Sequence, residues 1–166
     1  MQSFDIRRAN EDDAAGIMTV LEKVASERIY SAIDQPWTVE QERKYLRSLS
    51  SREATQVAVI ASGQIIGFQN LDLWASSVNS MRHVGQLGTF LLPEWRRQSV
   101  GKALFQVTQA FARNSAYSKF VIQVRASNLS AQVFYKGLGF YECGRMTRQV
   151  RIDGFEDDEI IMEYFL

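Results

Sequence analysis

The chain has 166 residues, 46% hydrophobic and 23% charged, enough for one domain whose core needs no disulfide or structural metal to fold. Its 19 basic and 19 acidic residues cancel, which excludes a global field steering it onto nucleic acid or an anionic membrane and leaves only local charge recognition. A single cysteine, Cys143, excludes an internal disulfide, and with a single histidine it argues against a soft-ligand metal site.

No run approaches the roughly 20 apolar residues that span a bilayer. The opening MQSFDIRRAN lacks the apolar stretch of a secretory signal, so the expected location is cytoplasmic. No repeat, low-complexity tract or linker divides the chain, and one domain over 1 to 166 is expected. SFDIRRA (3 to 9) alternates as a short strand. NEDDAAGIMTVLEKVAS (10 to 26) follows with an acidic first turn, and Ile17, Val20, Leu21 and Val24 share one helical face. TVEQERKYLRSL (38 to 49) opens on Thr38 with Gln41 three residues on, the spacing of a capping box.

TQVAVIASGQIIGFQNLDLWA (55 to 75) reads as two β-rich runs turned across SGQ. MRHVGQLGTFLL (81 to 92) is a further strand whose Gly85 and Gly88 permit a bulge or the close approach of another chain or a ligand. Beyond it Val100, Ala103, Leu104, Val107 and Phe111 keep helical spacing over 99 to 114. KFVIQVRA (119 to 126) is a strand, NLSAQVFYKGL (128 to 138) a short helix, and FYECGRMTRQVRI with DEIIMEYFL a closing strand pair. The order βααβββαβαββ predicts an α/β fold with a mixed central sheet, the 81 to 92 and 119 to 126 strands running parallel across their helical crossover. The run EIIMEYFL suits either a strand pairing across a homodimer interface or a buried central strand.

PEWRRQSVGKAL (93 to 104) carries the chemistry. A helix N-terminus holds about four backbone N–H groups without intrahelical partners and a partial positive charge, which suits a phosphate. Arg96 and Arg97 add charge, and Gly101 in the first turn admits a ligand close to the backbone. Ser99 stands where such loops prefer glycine, and its plainer reading is a helix N-cap. A Walker loop fails at Arg96 and Ala103, and GLGFYE breaks the Rossmann spacing at Glu142.

RRQSVG resembles the acetyl-CoA loop Q/R-x-x-G-x-G/A of the GNAT superfamily of N-acetyltransferases at Arg96 and Gly101, and departs from it at Ser99. NLSAQVFYKGLGF is similar to the family's second motif, N-x-x-A-x-x-x-Y-x-x-x-G-F, at Asn128, Ala131, Tyr135, Gly139 and Phe140. HVGQLGTFLLPEWR resembles the strand that precedes the loop, and the element order agrees over almost the whole chain.

The resemblance implies acetyl-CoA as co-substrate. Backbone groups of Phe90, Leu91 and Leu92 would meet its pantetheine arm, and Arg96, Arg97, Gln98, Ser99, Val100, Gly101 and Lys102 its pyrophosphate. Asn128 is either a cofactor contact or only a helix cap. Tyr135 is the family's general acid by motif and a core residue by spacing. His83 is a candidate base near the start of the strand, and Glu27, between the first two helices, is its competitor or a substrate contact. Cys143 could serve as an acyl nucleophile, but a buried structural thiol is the expectation.

GTFLLPEWR and the closing IDGFEDDEIIMEYF are similar to the amino-acid and phosphinothricin acetyltransferase branch, which implies a small-molecule amine as acceptor. The alternatives are a protein N-terminus or, if Ser99 disables the loop, a non-catalytic acyl-CoA sensor. For Ser99 the question is whether its position requires φ > 0, which strains any residue but glycine by roughly 1 kcal/mol or more.

Overall fold

A computed structural model describes residues 3 to 166. Strand β1 (Phe4–Arg8) leads through a 3-10 turn (Glu11–Asp13) into helix α1 (Ala14–Ser26). This junction is set by a reciprocal cap: Asn10 Oδ1 accepts the Asp12 N–H at 2.8 Å, and Asp13 Oδ2 accepts the Asn10 N–H at 2.8 Å. Arg7 closes it, donating to both Asp13 oxygens at 2.7 Å.

The Arg7 guanidinium and the Asn10 amide hold the Asp13 carboxyl below its ordinary range although burial opposes them. A carboxyl depressed in this way stabilises the fold above its unfolded pKa of about 3.9 and loses that contribution as pH falls through the folded value. Asp13→Asn is therefore expected to cost about 2 kcal/mol near neutral pH, from the lost cap and the unpaired Arg7. Urea titrations checking this should show the gap to wild type closing as pH falls below the unfolded pKa of about 3.9 and through the lower folded value.

Helix α2 (Val39–Ser48) carries the capping box read from the sequence, Gln41 N–H to Thr38 Oγ1 at 3.2 Å and Thr38 N–H to Gln41 Oε1 at 2.7 Å. Then follow β2 (Ala54–Ile60), β3 (Ile65–Leu73), β4 (Val84–Leu91), α3 (Val100–Asn114), β5 (Lys119–Arg125), α4 (Leu129–Leu138), β6 (Tyr141–Ile152) and β7 (Phe155–Phe165). The order is the expected βααβββαβαββ. The strand expected from residue 81 begins only at Val84, because a 3-10 turn (Asn79–Met81) occupies the segment before it.

The strands form one sheet in the order β1-β2-β3-β4-β5-β7-β6. The last strand is inserted between β5 and β6, pairing antiparallel with both. Its apolar run is thus that of an interior strand: Ile160 and Met162 are buried. The alternative, a strand pairing across a homodimer, is corrected on this point, since the sheet edges are β1 and β6. Cys143 lies on edge strand β6 and is exposed rather than a buried thiol.

Side-chain alternation assigns the two faces. Phe68, Asp72 and Phe90 point toward α1 and α2: Phe90 stacks on Phe68, and Tyr45 of α2 donates to Asp72 at 2.6 Å. Leu71, Leu87 and Thr89 point toward α3 and α4, over a core of Phe105, Phe120, Phe140 and Ile122.

The β3–β4 ladder runs unbroken from Gly67↔Leu91 to Leu73↔Gly85, so the two glycines of β4 make no bulge in it. Gly85 serves close packing, since a Cβ there would lie 2.6 Å from Leu71 Cδ1. β4 and β5 pair in parallel only at Val84↔Lys119, Gly85↔Phe120 and Gln86↔Val121. Beyond Gln86 they part, and the wedge between them is where the ligand chemistry sits.

Candidate active site

The parted edge of β4, the loop after it, α4 and the end of α1 enclose a cleft of about 830 Å³. Phe90, Leu91, Arg96, Arg97, Ser99, Gly101, Lys102, Asn128 and Tyr135 line it, nine of the residues singled out from the sequence. Leu92 and Val100 are buried in the core instead, and Gln98 turns back to the Glu94 carbonyl at 2.5 Å.

The loop backbone is built for an anion. Arg97 (φ 59°) and Ser99 (φ 64°) are left-handed, and α3 begins immediately after, its first i to i−4 bond being Ala103 N–H to Ser99 O. The amides of Ser99, Val100, Gly101 and Lys102 therefore have no intrahelical acceptor. The Ser99 hydroxyl does not cap the helix, so the N-cap reading of that side chain is not what the geometry shows. Its position does require φ > 0, and the serine carries the corresponding strain.

Gly101 packs under α4, where a Cβ would stand 3.0 Å from the Phe134 ring and 3.5 Å from Leu91. Free amides, a glycine floor and an unpaired strand edge are what a pyrophosphate on a peptide-like arm requires, so acetyl-CoA fits these residues.

Arg96 is not a free phosphate ligand. Both its terminal nitrogens bind Glu27, it donates to the Leu91 carbonyl at 3.3 Å, and it stacks 4.1 Å above the Tyr30 ring. Glu27 is consequently an ion-pair partner holding the α1–α2 segment (27 to 38) against the loop. Sequence spacing cannot reveal such a pair, because its members lie 69 positions apart.

Asn128 caps α4 by accepting the Ala131 N–H at 3.1 Å, and its Nδ2 donates to the Tyr30 carbonyl at 3.4 Å. Both readings meet in one residue, a cap that also lines the cleft. Arg125, which the sequence reading passed over, binds the Arg28 carbonyl, the Ser31 carbonyl at 3.4 Å and Asp157 at 2.9 Å.

Tyr135 is buried, and its hydroxyl donates to Thr89 Oγ1 at 2.8 Å, which also accepts from Gln69 Nε2 at 2.7 Å. Burial pushes its pKa up to about 12, with Thr89 opposing, so the phenol stays protonated throughout the neutral range. Thr89 and Gln69 were missed because each reads as an ordinary strand residue.

His83 lies elsewhere. It is exposed and precedes β4, with its carbonyl held by Ser118 and Lys119. Six residues of strand separate it from Thr89, about 20 Å at the usual rise. His83 is thus not among the residues that line the cleft, and its place at the start of β4 does not favour it as the base. Cys143 is outside the cleft too, and burial and Glu163 raise its pKa, which suppresses the thiolate a nucleophile needs.

These features define an acyl-CoA-dependent transferase fold and site. The acetyltransferase (GNAT) domain matches residues 20–156, and the chain belongs to that family. It is a GNAT N-acetyltransferase using acetyl-CoA. The aminoglycoside N(6')-acetyltransferase type 1 of Stenotrophomonas maltophilia is 30% identical over 104 residues, 60% of this chain and 68% of that protein. N-acetyltransferase 8 of Homo sapiens is 36% identical over 56 residues, 34% of this chain but 25% of that protein.

Among solved structures, one assigned as a phosphinothricin N-acetyltransferase superposes with TM-score 0.90 at 18% identity, covering 99% of both chains. The structure of yncA from Salmonella typhimurium with its cofactor acetyl-CoA gives 0.90 at 17%, covering 99% of this chain and 94% of that one. At these identities the likeness is one of fold. Among the described residues no helix is long and apolar enough to cross a membrane.

Proposed function

We propose that the protein acetylates the primary amine of a small molecule, an amino acid or an analogue of one, by direct attack of the amine on the thioester. The observation that carries this is the strapping of the α1–α2 segment over the wedge. Arg125 and Asn128 hold the Arg28, Tyr30 and Ser31 carbonyls, Arg96 holds Glu27, and Arg28 pairs with Asp153 in the β6–β7 turn at 2.9 Å. A peptide acceptor needs an open groove on this side, and five tethers that hold the segment in place favour a smaller acceptor.

Acetyl-CoA, when bound, supplies an activated acyl carbon and a thiolate leaving group. The amides from Ser99 to Lys102 hold the pyrophosphate, with Arg97 and Lys102 adding charge, and the unpaired edge of β4 from Leu87 to Leu91 orients the arm. A backbone N–H on that edge stabilises the developing oxyanion, and the single Tyr135 O–H, rotating away from Thr89 Oγ1, donates to the departing sulfur.

Calorimetric titration of acetyl-CoA into wild type and Ser99→Gly, followed by thiol release with a panel of amines, tests the reading. Ser99→Gly relieves left-handed strain that the loop already carries before any ligand binds, so it is expected to stabilise the fold by about 1 kcal/mol and to leave acetyl-CoA affinity within about twofold. Saturable one-site binding and turnover with a small amine support it. Binding without turnover would make the protein an acyl-CoA sensor, and turnover confined to peptide N-termini would overturn the small-molecule acceptor.

A further inference from the structure

On the face of the sheet opposite Tyr135, a line of polar side chains crosses three strands at the point where β4 and β5 part. Gln86 of β4 donates to Gln123 Oε1 of β5 at 3.1 Å, and Gln123 Nε2 donates to Glu159 Oε2 of β7 at 3.2 Å. Continuing the parallel register two residues past Gln86↔Val121 brings Gln123 level with Gly88. Gly88 presents no side chain on this face, so the line borders an open stretch of β4 edge.

Glu159 is a carboxylate without a structural explanation. Its relative exposure is 8%, yet among the described residues its one hydrogen-bond donor is Gln123. Arg125 is its ladder partner, but that guanidinium is spent on Asp157 and on the Arg28 and Ser31 carbonyls. The other groups around it are Met146 opposite on β6, Asp157 two residues earlier on β7, and Gln123. A buried carboxylate with unused lone pairs costs free energy unless another molecule uses them. Burial, reinforced by Asp157 and opposed by Arg125, places its protonation above the ordinary carboxylate range, nearer the pH at which a base works best.

We propose that Glu159 is the proton acceptor for the attacking amine, directly or through one water, with Gln123 as its positioning residue and Gln86 holding Gln123. The inference rests on the acetyl-transfer reading above. As the carbon–nitrogen bond forms and the carbon–sulfur bond breaks, the amine proton passes to Glu159. The electron pair leaves on sulfur beneath Tyr135, and the thiolate takes its proton from solvent as Glu159 releases one. Proton acceptor and thiolate partner thus stand on opposite faces of the wedge, on either side of the reacting carbon.

The test compares wild type with Glu159→Gln by thiol release from acetyl-CoA, using L-phosphinothricin, kanamycin and an alanine-initiated dipeptide, from about pH 5.5 to 9. The α-amine of the dipeptide, with a pKa of about 7.7 to 8, is already partly neutral near pH 7, so a loss of about 30-fold in kcat/KM is expected for it and a larger loss for the more basic amine of a free amino acid. In the variant the rate should climb about tenfold per pH unit until the amine itself is neutral, with the affinity for acetyl-CoA and the melting temperature unchanged.

A variant within threefold of wild type, with the same pH profile, overturns the role of Glu159 while leaving acetyl transfer intact. Wild type that binds acetyl-CoA but acetylates none of the three overturns both. If Glu159→Gln melts early, Glu159→Asp keeps the carboxylate: a rate that levels off below the pKa of the amine, as a working carboxylate requires, supports the role, and an unbroken climb up to the amine pKa in a folded Asp variant overturns it.

Discussion

Tyr135→Phe is expected to lower kcat about 300-fold while leaving acetyl-CoA affinity within twofold. The phenyl ring keeps the packing against Phe134 and Phe140, whose ring centroids lie 5.1 and 5.2 Å from that of Tyr135, so the fold survives and only the hydroxyl is lost. With its pKa pushed up to about 12 by burial, the phenol lies some three to four units above a thiol at about 8.5. Full proton transfer to the thiolate would cost about 5 kcal/mol, so the role we propose for Tyr135 is that of a hydrogen-bond donor to developing charge. Removing one such donor costs about 10² to 10³ in rate. An alkaline limb below about pH 10 should therefore belong to another group, and steady-state rates across pH for both proteins check this.

Gly101→Val is the second large effect, and it falls on binding. A Cβ there already stands 3.0 Å from the Phe134 ring and 3.5 Å from Leu91, so the valine methyls would displace two side chains that line the cleft beside the free amides. Charge-assisted bonds from amide to phosphate contribute about 1.5 to 3 kcal/mol each, so denying two of them should weaken acetyl-CoA more than 100-fold by calorimetry. Gly101→Ala, which only requires Phe134 to give by a few tenths of an ångström, should cost about tenfold. Near-normal binding by the valine variant would mean that the pyrophosphate does not rest on this turn.

Much of the molecule was legible in one dimension because its signals are local. Periodicity placed every strand and helix, the Thr38 and Asn128 caps announced α2 and α4, and the loop before α3 declared an anion site. Local reading failed where one stretch of chain suits two environments. The apolar run of β7 fits an edge or an interior equally, and only the pairing with β5 and β6 decides it. Cys143 reads as a buried thiol because a free cysteine in a strand usually packs inside, whereas β6 is an edge strand and the thiol is exposed.

The candidate site divides the same way. By itself the sequence pointed to the family, which the family match bears out, and to the loop and tyrosine proposed to meet acetyl-CoA, since each rests on residues within one turn or one strand-to-helix junction. Tertiary structure alone decided that Arg96 answers to Glu27, that Arg125 and Asn128 tie down the α1–α2 segment, that His83 stands at the far end of β4, and that Gln86, Gln123 and Glu159 form one line. Those relations join residues from separate strands and loops. Strand register and crossover geometry create them, and no spacing along the chain encodes which side chains a sheet will bring together.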